Sequence, residues 1–121
     1  AGLGALEAAA DAGKLSIGFW DHWVPGANKA AEAVSRAWAE KEKVDLHIDF
    51  ITSQGNKLIL TAAAEAQARS GHDILTLGSW DAANYADKLT PVDDVMAPLI
   101  KANGAASAIT TYLGKIGGKW M

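Results

Sequence analysis

Trp20, Asp21, His22 and Trp23 put two indoles, a carboxylate and an imidazole into four consecutive positions. Aromatic faces give the polarised C–H bonds of a sugar ring a flat apolar surface, while Asp, His, Asn and Gln side chains exchange hydrogen bonds with its hydroxyls. Two further turns carry similar groups: Gln54 and Asn56 in one, and Ser79, Trp80 and Asp81 in the other, with Tyr85 one helical turn beyond Trp80 and Asn84 beside it. The residues expected to bind a ligand are therefore Trp20, Asp21, His22, Trp23, Gln54, Asn56, Ser79, Trp80 and Asp81, with Asn28 as a further polar neighbour. Asp21 and His22 also allow a different chemistry, an acid/base pair in a small α/β enzyme.

The wider sequence weighs against that enzyme reading. No serine stands in a Gly-x-Ser-x-Gly elbow, and the absence of cysteine removes thiol nucleophiles, disulfides and zinc-thiolate sites together. The histidines stand at 22, 47 and 72, with no His-x-x-x-His or Asp-x-Asp-x-Asp-Gly spacing, so no metal site is expected. His47 alternates with apolar strand residues and is expected on the outer face, and His72, next to Gly71, in a loop as a cap or simply exposed. Gly2-x-Gly4 precedes any strand and lacks a third glycine, and Gly118-Lys119 lacks the rest of a phosphate loop, so no cofactor is expected. A response-regulator-like domain would need several acids at the first strand's exit, where Asp21 stands alone.

Three apolar runs must position these residues. Leu15, Ile17 and Phe19 alternate with small residues as a first strand, which ends where the aromatic group begins. Pro25-Gly26 breaks the pattern, and a helix is expected from about Asn28, its N-cap, to Lys43, with Ala30, Ala31, Val34, Ala37 and Trp38 as its apolar stripe. Val44, Leu46, Ile48 and Phe50 alternate as a second strand. A second helix is expected over 57–70, stopped by Gly71, with Ile59, Ala62, Ala63 and Ala66 buried, and a third strand over 73–77. Strand, helix, strand, helix, strand implies right-handed crossovers and a mostly parallel sheet, so the fold class is α/β. In open sheets of that kind, ligands bind at the carboxyl ends of the strands, where Trp20–Trp23 lie.

The last third reads as a short helix over 81–87, a surface connection over 89–94, a helix over 105–113, and a closing turn that leads towards a strand that never arrives. Trp120 after that turn fits either the ligand-facing aromatic set or the core. Residues 1–13, rich in Ala and Gly, read as a lead-in without function.

A chain of 121 residues is one domain's worth, 50% hydrophobic and 21% charged. Its net charge is -3 and its 11 Lys and Arg residues are scattered, which argues against a nucleic-acid partner. No run of about 18 apolar residues is present, so no direct membrane insertion is expected. No basic-then-apolar leader opens the sequence, so if the protein is exported the expected form is the mature one.

Lys14 to Trp20, Ser70 to Leu77, Trp80 through Leu89-Thr90-Pro91-Val92-Asp93-Asp94, and Ile116 to Trp120 together give the chain a likeness to a known family. Over residues 14–121 it resembles the N-terminal part of the first lobe of bacterial extracellular solute-binding proteins, the sugar-binding type related to maltose-binding protein. The resemblance implies a periplasmic protein without catalysis of its own, which captures a sugar or other small polar solute between two α/β lobes. It also implies delivery to an ABC permease in the membrane. The ligand-facing loops of the first lobe then match Trp20–Trp23, Gln54–Asn56 and Ser79–Asp81. Members of the family are several-fold longer, so the expectation is a first lobe without its second, which on its own holds a ligand weakly.

Overall fold

The computed structural model describes residues 13–121. They form two compact units, 13–76 and 77–121. The lead-in expected over 1–13 lies, but for Gly13, outside the described residues, as does the Gly2-x-Gly4 pair.

The first unit is an α/β layer structure with a three-stranded parallel sheet. Strand β1 (Lys14–Trp20) lies between β2 (Asp45–Ile51) and β3 (Ile74–Leu75). Helix α1 (Pro25–Glu42) joins β1 to β2, and α2 (Lys57–Ala68) joins β2 to β3. The order β2-β1-β3 makes the two connections run in opposite directions from β1, so right-handed crossovers set α1 and α2 on opposite faces of the sheet.

Pairing Lys14 with Asp45 and Trp20 with Ile51 gives the two faces different characters. One carries Leu15 with Leu46, Ile17 with Ile48, and Phe19 with Phe50, whose rings stack 5.9 Å apart. That face is the apolar core, with Leu15 and Ile17 buried. The other carries Ser16 beside His47 and Gly18 beside Asp49. Gly18 is needed there because an added Cβ would stand 2.6 Å from Leu75 Cδ1 and 3.3 Å from His72 Cδ2.

The helices differ from expectation in ways that matter for the site. Pro25 opens α1 rather than ending a pattern, since its fixed φ suits the first helical turn and its missing N–H costs nothing there. Val24 is the N-cap, which frees the Asn28 side chain for the β1 exit. The inward side of α1 is small, with Ala27, Ala31, Ser35 and Ala39 at least partly covered, while Val34 is 72% and Trp38 46% exposed. Small residues let a helix approach a sheet closely, and the expected stripe of bulkier residues is turned away.

In α2, Leu58, Thr61, Ala62, Glu65 and Ala66 turn inward, whereas Ile59 is 60% exposed and Ala63 is exposed as well. The helix stops at Ala68 with Arg69 left-handed, ahead of Gly71. The third strand keeps only Ile74 and Leu75 in the ladder, flanked by Asp73 N–H to Ser16 O and Thr76 N–H to Gly18 O.

The second unit contains α3 (Asp81–Asn84), α4 (Asp93–Asn103), α5 (Ala108–Gly114) and a hairpin of β4 (Lys115–Ile116) and β5 (Lys119–Trp120). The final strand is thus present. Gly117 and Gly118, with φ of 58° and 84°, make the two-residue turn that matches strand twist. Trp120 is core, 8% exposed: its ring lies against Gly114, its N–H donates to Asp93 Oδ1 at 3.2 Å and its carbonyl accepts from Val92 N–H at 2.8 Å. Helix α4 replaces part of the expected surface connection. No helix of the described residues is long and apolar enough to cross a membrane.

Candidate functional site

The carboxyl end of β1 delivers Trp20 directly into the segment 21–24, and a short hydrogen-bond set fixes that segment. Asp21 N–H donates to Ile51 O at 2.9 Å, which ties the exit of β1 to the exit of β2. Asn28, on the first turns of α1, acts twice: its Oδ1 accepts from His22 N–H at 3.0 Å, and its Nδ2 donates to Asp21 Oδ1 at 2.6 Å. One amide therefore holds both polar residues of the exit.

His22 Nδ1 accepts from Val24 N–H at 3.0 Å, a bond that the ring makes with its proton on Nε2. The ring lies 4.5 Å from Trp23 and 5.3 Å from Trp20, and the two indoles meet edge to face at 4.6 Å. These separations are those of rings in mutual contact. They form one aromatic block, with no gap in which a cation could sit between faces. Trp23 is 73% exposed and presents the block to solvent, while the half-buried Trp20 holds its Nε1–H away from solvent with no hydrogen-bond partner.

The block sits where the geometry of an open sheet favours binding. The chain leaves β1 in one direction for β2 and returns past it to β3, and in open sheets ligands bind outside the carboxyl ends of the strands at such a reversal. The exit of β2 shares that edge and carries the 3-10 turn Gln54–Asn56, with Gln54 N–H on Thr52 Oγ1 and both side chains exposed.

Ser79, Trp80 and Asp81 belong to the second unit. There Asp81 folds back on its own turn: Oδ2 accepts from Gly78 N–H at 2.9 Å and Oδ1 from Asn84 Nδ2 at 3.1 Å. Gly78 lets the Asp81 carboxylate come close at that bend, since an added Cβ would stand 2.8 Å from Asp81 Oδ2 and push that side chain aside. Ser79 and Trp80 are exposed, Trp80 by 69%. The structure thus brings Trp20, Asp21, His22 and Trp23 together, with Gln54 and Asn56 on the same sheet edge.

Asp21 and His22 do not bond to each other. Each is engaged by Asn28, and His22 also by Val24, so the carboxylate does not orient the imidazole as a general base's partner would.

The polar face of the sheet holds a cluster that the sequence did not announce. His72 is neither a cap nor exposed: its side chain is 14% exposed, with Nδ1 2.7 Å from Glu65 Oε1 and Nε2 3.0 Å from Asp49 Oδ2. Its backbone N–H donates to Glu65 Oε2 at 2.9 Å, and His47 Nε2 lies 3.1 Å from the same Asp49 oxygen. Burial alone would push the His72 pKa down, but the hydrogen bonds and charges of Asp49 and Glu65 together outweigh it and raise it above 6.5. The His72 hydrogen bond, helped by His47 and opposed by partial burial, holds the Asp49 carboxyl below its ordinary 3.8.

Ser16, His47, Glu65, Gly71 and His72 line an open depression of about 220 Å³ beside this cluster. No three His, Cys, Asp or Glu side chains among the described residues are arranged to hold a metal ion. The signals were present but scattered: His47 and Asp49 two apart on one strand face, and Glu65 and His72 on either side of a helix end.

Scans against protein-family models, curated proteins and solved structures find no match to this chain.

Proposed function

We propose that the chain is the solute-binding component of an ABC importer, working in the periplasm and capturing a sugar or polyol on the aromatic block at the β1 exit. The observation that carries this reading is the exposed Trp23 face, backed by Trp20 and His22 and set at the carboxyl end of the central strand.

A flat aromatic surface ringed by hydroxyl partners suits one face of a sugar ring. Asp21 Oδ2, the His22 Nε2–H and the amides of Gln54 and Asn56 are the groups available to hydroxyls on that edge. The contact among the three rings leaves no cage for a quaternary ammonium, so a neutral polyhydroxylated solute fits better than a cation. Ser79, Trp80 and Asp81, in the second unit, are the further residues that this reading assigns to ligand contact. The first unit is then part of the first lobe of a two-lobed binding protein, whose permease is its membrane partner.

Because Trp23 faces open solvent, the ligand remains half wet on this platform and binding is weak. Saturation-transfer NMR detects such binding. With a panel of monosaccharides, disaccharides and polyols, the reading predicts transfer to the C–H protons of one ligand face, and loss of that transfer in Trp23→Ala. Absence of transfer from every saccharide and polyol to the wild-type chain would overturn it.

A further inference from the structure

We propose that His72 is a proton-operated clamp between α2 and β2. As an imidazolium it bridges Glu65 and Asp49. On losing its proton it keeps Glu65 and lets Asp49 go, which loosens the polar face of the sheet around the depression lined by Ser16, His47 and Glu65. This inference is independent of the solute-binding reading.

The ring of His72 must supply two donors to hold both carboxylates. Nδ1 and Nε2 face carboxylate oxygens at 2.7 and 3.0 Å, and only the doubly protonated ring donates from both. A neutral ring has one N–H, so its other nitrogen turns a lone pair towards a carboxylate. The two carboxylates do not compete equally. Glu65 grips residue 72 at two points, through Nδ1 and through the backbone N–H at 2.9 Å, and that grip keeps the remaining proton on Nδ1. Asp49 has another partner to turn to, His47 Nε2 at 3.1 Å.

The surrounding charges leave this role to His72. On α2 the titratable or charged groups near it are Glu65 and the C-cap Arg69; on β2 they are Asp49 and His47. On the loop itself there is Asp73, whose carboxylate accepts from both the N–H and the hydroxyl of Ser16 on β1. Among the described residues no lysine or arginine is ion-paired with Glu65 or Asp49, whose charged partners are histidines. The raised His72 pKa and lowered Asp49 pKa agree in direction with a bridging imidazolium.

Gly71 makes the grip possible. Its φ of 145° suits glycine, and a methyl group there would run into the Glu65 carboxyl.

Imidazole nitrogen NMR on the full chain between about pH 5 and pH 9 reads both protonation and tautomer of His72. The expected result is a midpoint above 6.5, a neutral form protonated on Nδ1, and a lower midpoint in Asp49→Asn and in Glu65→Gln. A midpoint at or below 6.5, a neutral form protonated on Nε2, or a midpoint that neither variant moves would overturn the clamp. The wild-type midpoint and tautomer decide the matter even if a variant fails to fold.

Discussion

His22 and His72 belong to the same three-stranded unit and are used in opposite ways. At the β1 exit, His22 Nδ1 accepts a backbone N–H from Val24, and the ring spends its faces on Trp20 and Trp23. On the polar face, His72 turns both nitrogens to carboxylates and serves as a cationic strut. The groups facing the ring nitrogens decide between these roles: the Val24 backbone donor opposite His22 Nδ1 leaves a neutral ring free to stack, and a carboxylate opposite each nitrogen of His72 favours a charged one. One corner presents an exposed aromatic surface, and the other joins a helix to a strand.

Gly71→Ala should break the second corner most severely. Backbone strain at φ 145° and overlap with Glu65 together should cost about 2–3 kcal/mol in urea unfolding. The Trp20–Trp23 block should keep its wild-type indole spectrum, and a comparable disturbance there would show that the two corners are not separate.

The two histidines can then be compared directly. His72→Ala leaves Glu65 and Asp49 without their shared cation, at a cost of about 2 kcal/mol, discounted for the exposed side of Asp49. His22→Ala removes ring contacts at a wetter position and should cost under about 1 kcal/mol. Equal costs would erase the distinction.

The pH dependence has a defined sign. His72 has a pKa raised above its unfolded value of 6.5, so its contribution is complete below that value and is lost as pH rises through the folded pKa. Asp49 has a pKa lowered below 3.8, so its contribution is complete above that value and is lost as pH falls through the folded pKa. The cluster thus contributes most between 3.8 and 6.5. Urea midpoints across pH should fall on both sides of this window in the wild type, and the alkaline fall should be absent in His72→Ala.

Trp23→Ala should give the smallest stability change, under about 0.5 kcal/mol, because the side chain is mostly in solvent. Thermal unfolding that barely moves, together with lost solute contact, would mark Trp23 as a surface held for binding. A large loss of stability would instead mark it as structural.

Much of this organisation was legible in the residues. Alternating Leu15, Ile17 and Phe19, and Leu46, Ile48 and Phe50, specify strands because the side-chain period of a strand is two. The aromatic exit follows from where β1 must stop. Helix faces were harder to read, because the sheet admits small side chains: Ala31 and Ala39 go in, and Trp38, the most apolar-looking anchor, stays out.

The α2 face is rotated for an electrostatic reason, with Glu65 drawn inward by His72 and Ile59 left outside. Pro98 within α4 disguises that helix, since an interior proline normally argues for a break. The His72 cluster stayed hidden because it needs strand register, a helix end and Gly71 at once, and each of its residues is unremarkable alone.

A solute platform at the β1 exit would show itself in the five indole N–H signals of a nitrogen–proton correlation spectrum as a saccharide is added. Trp20 and Trp23 should move together, while Trp38 on the outer side of α1 and the buried Trp120 stay in place. Movement of Trp38 or Trp120 without Trp20 and Trp23, or no movement with any saccharide or polyol, would contradict it.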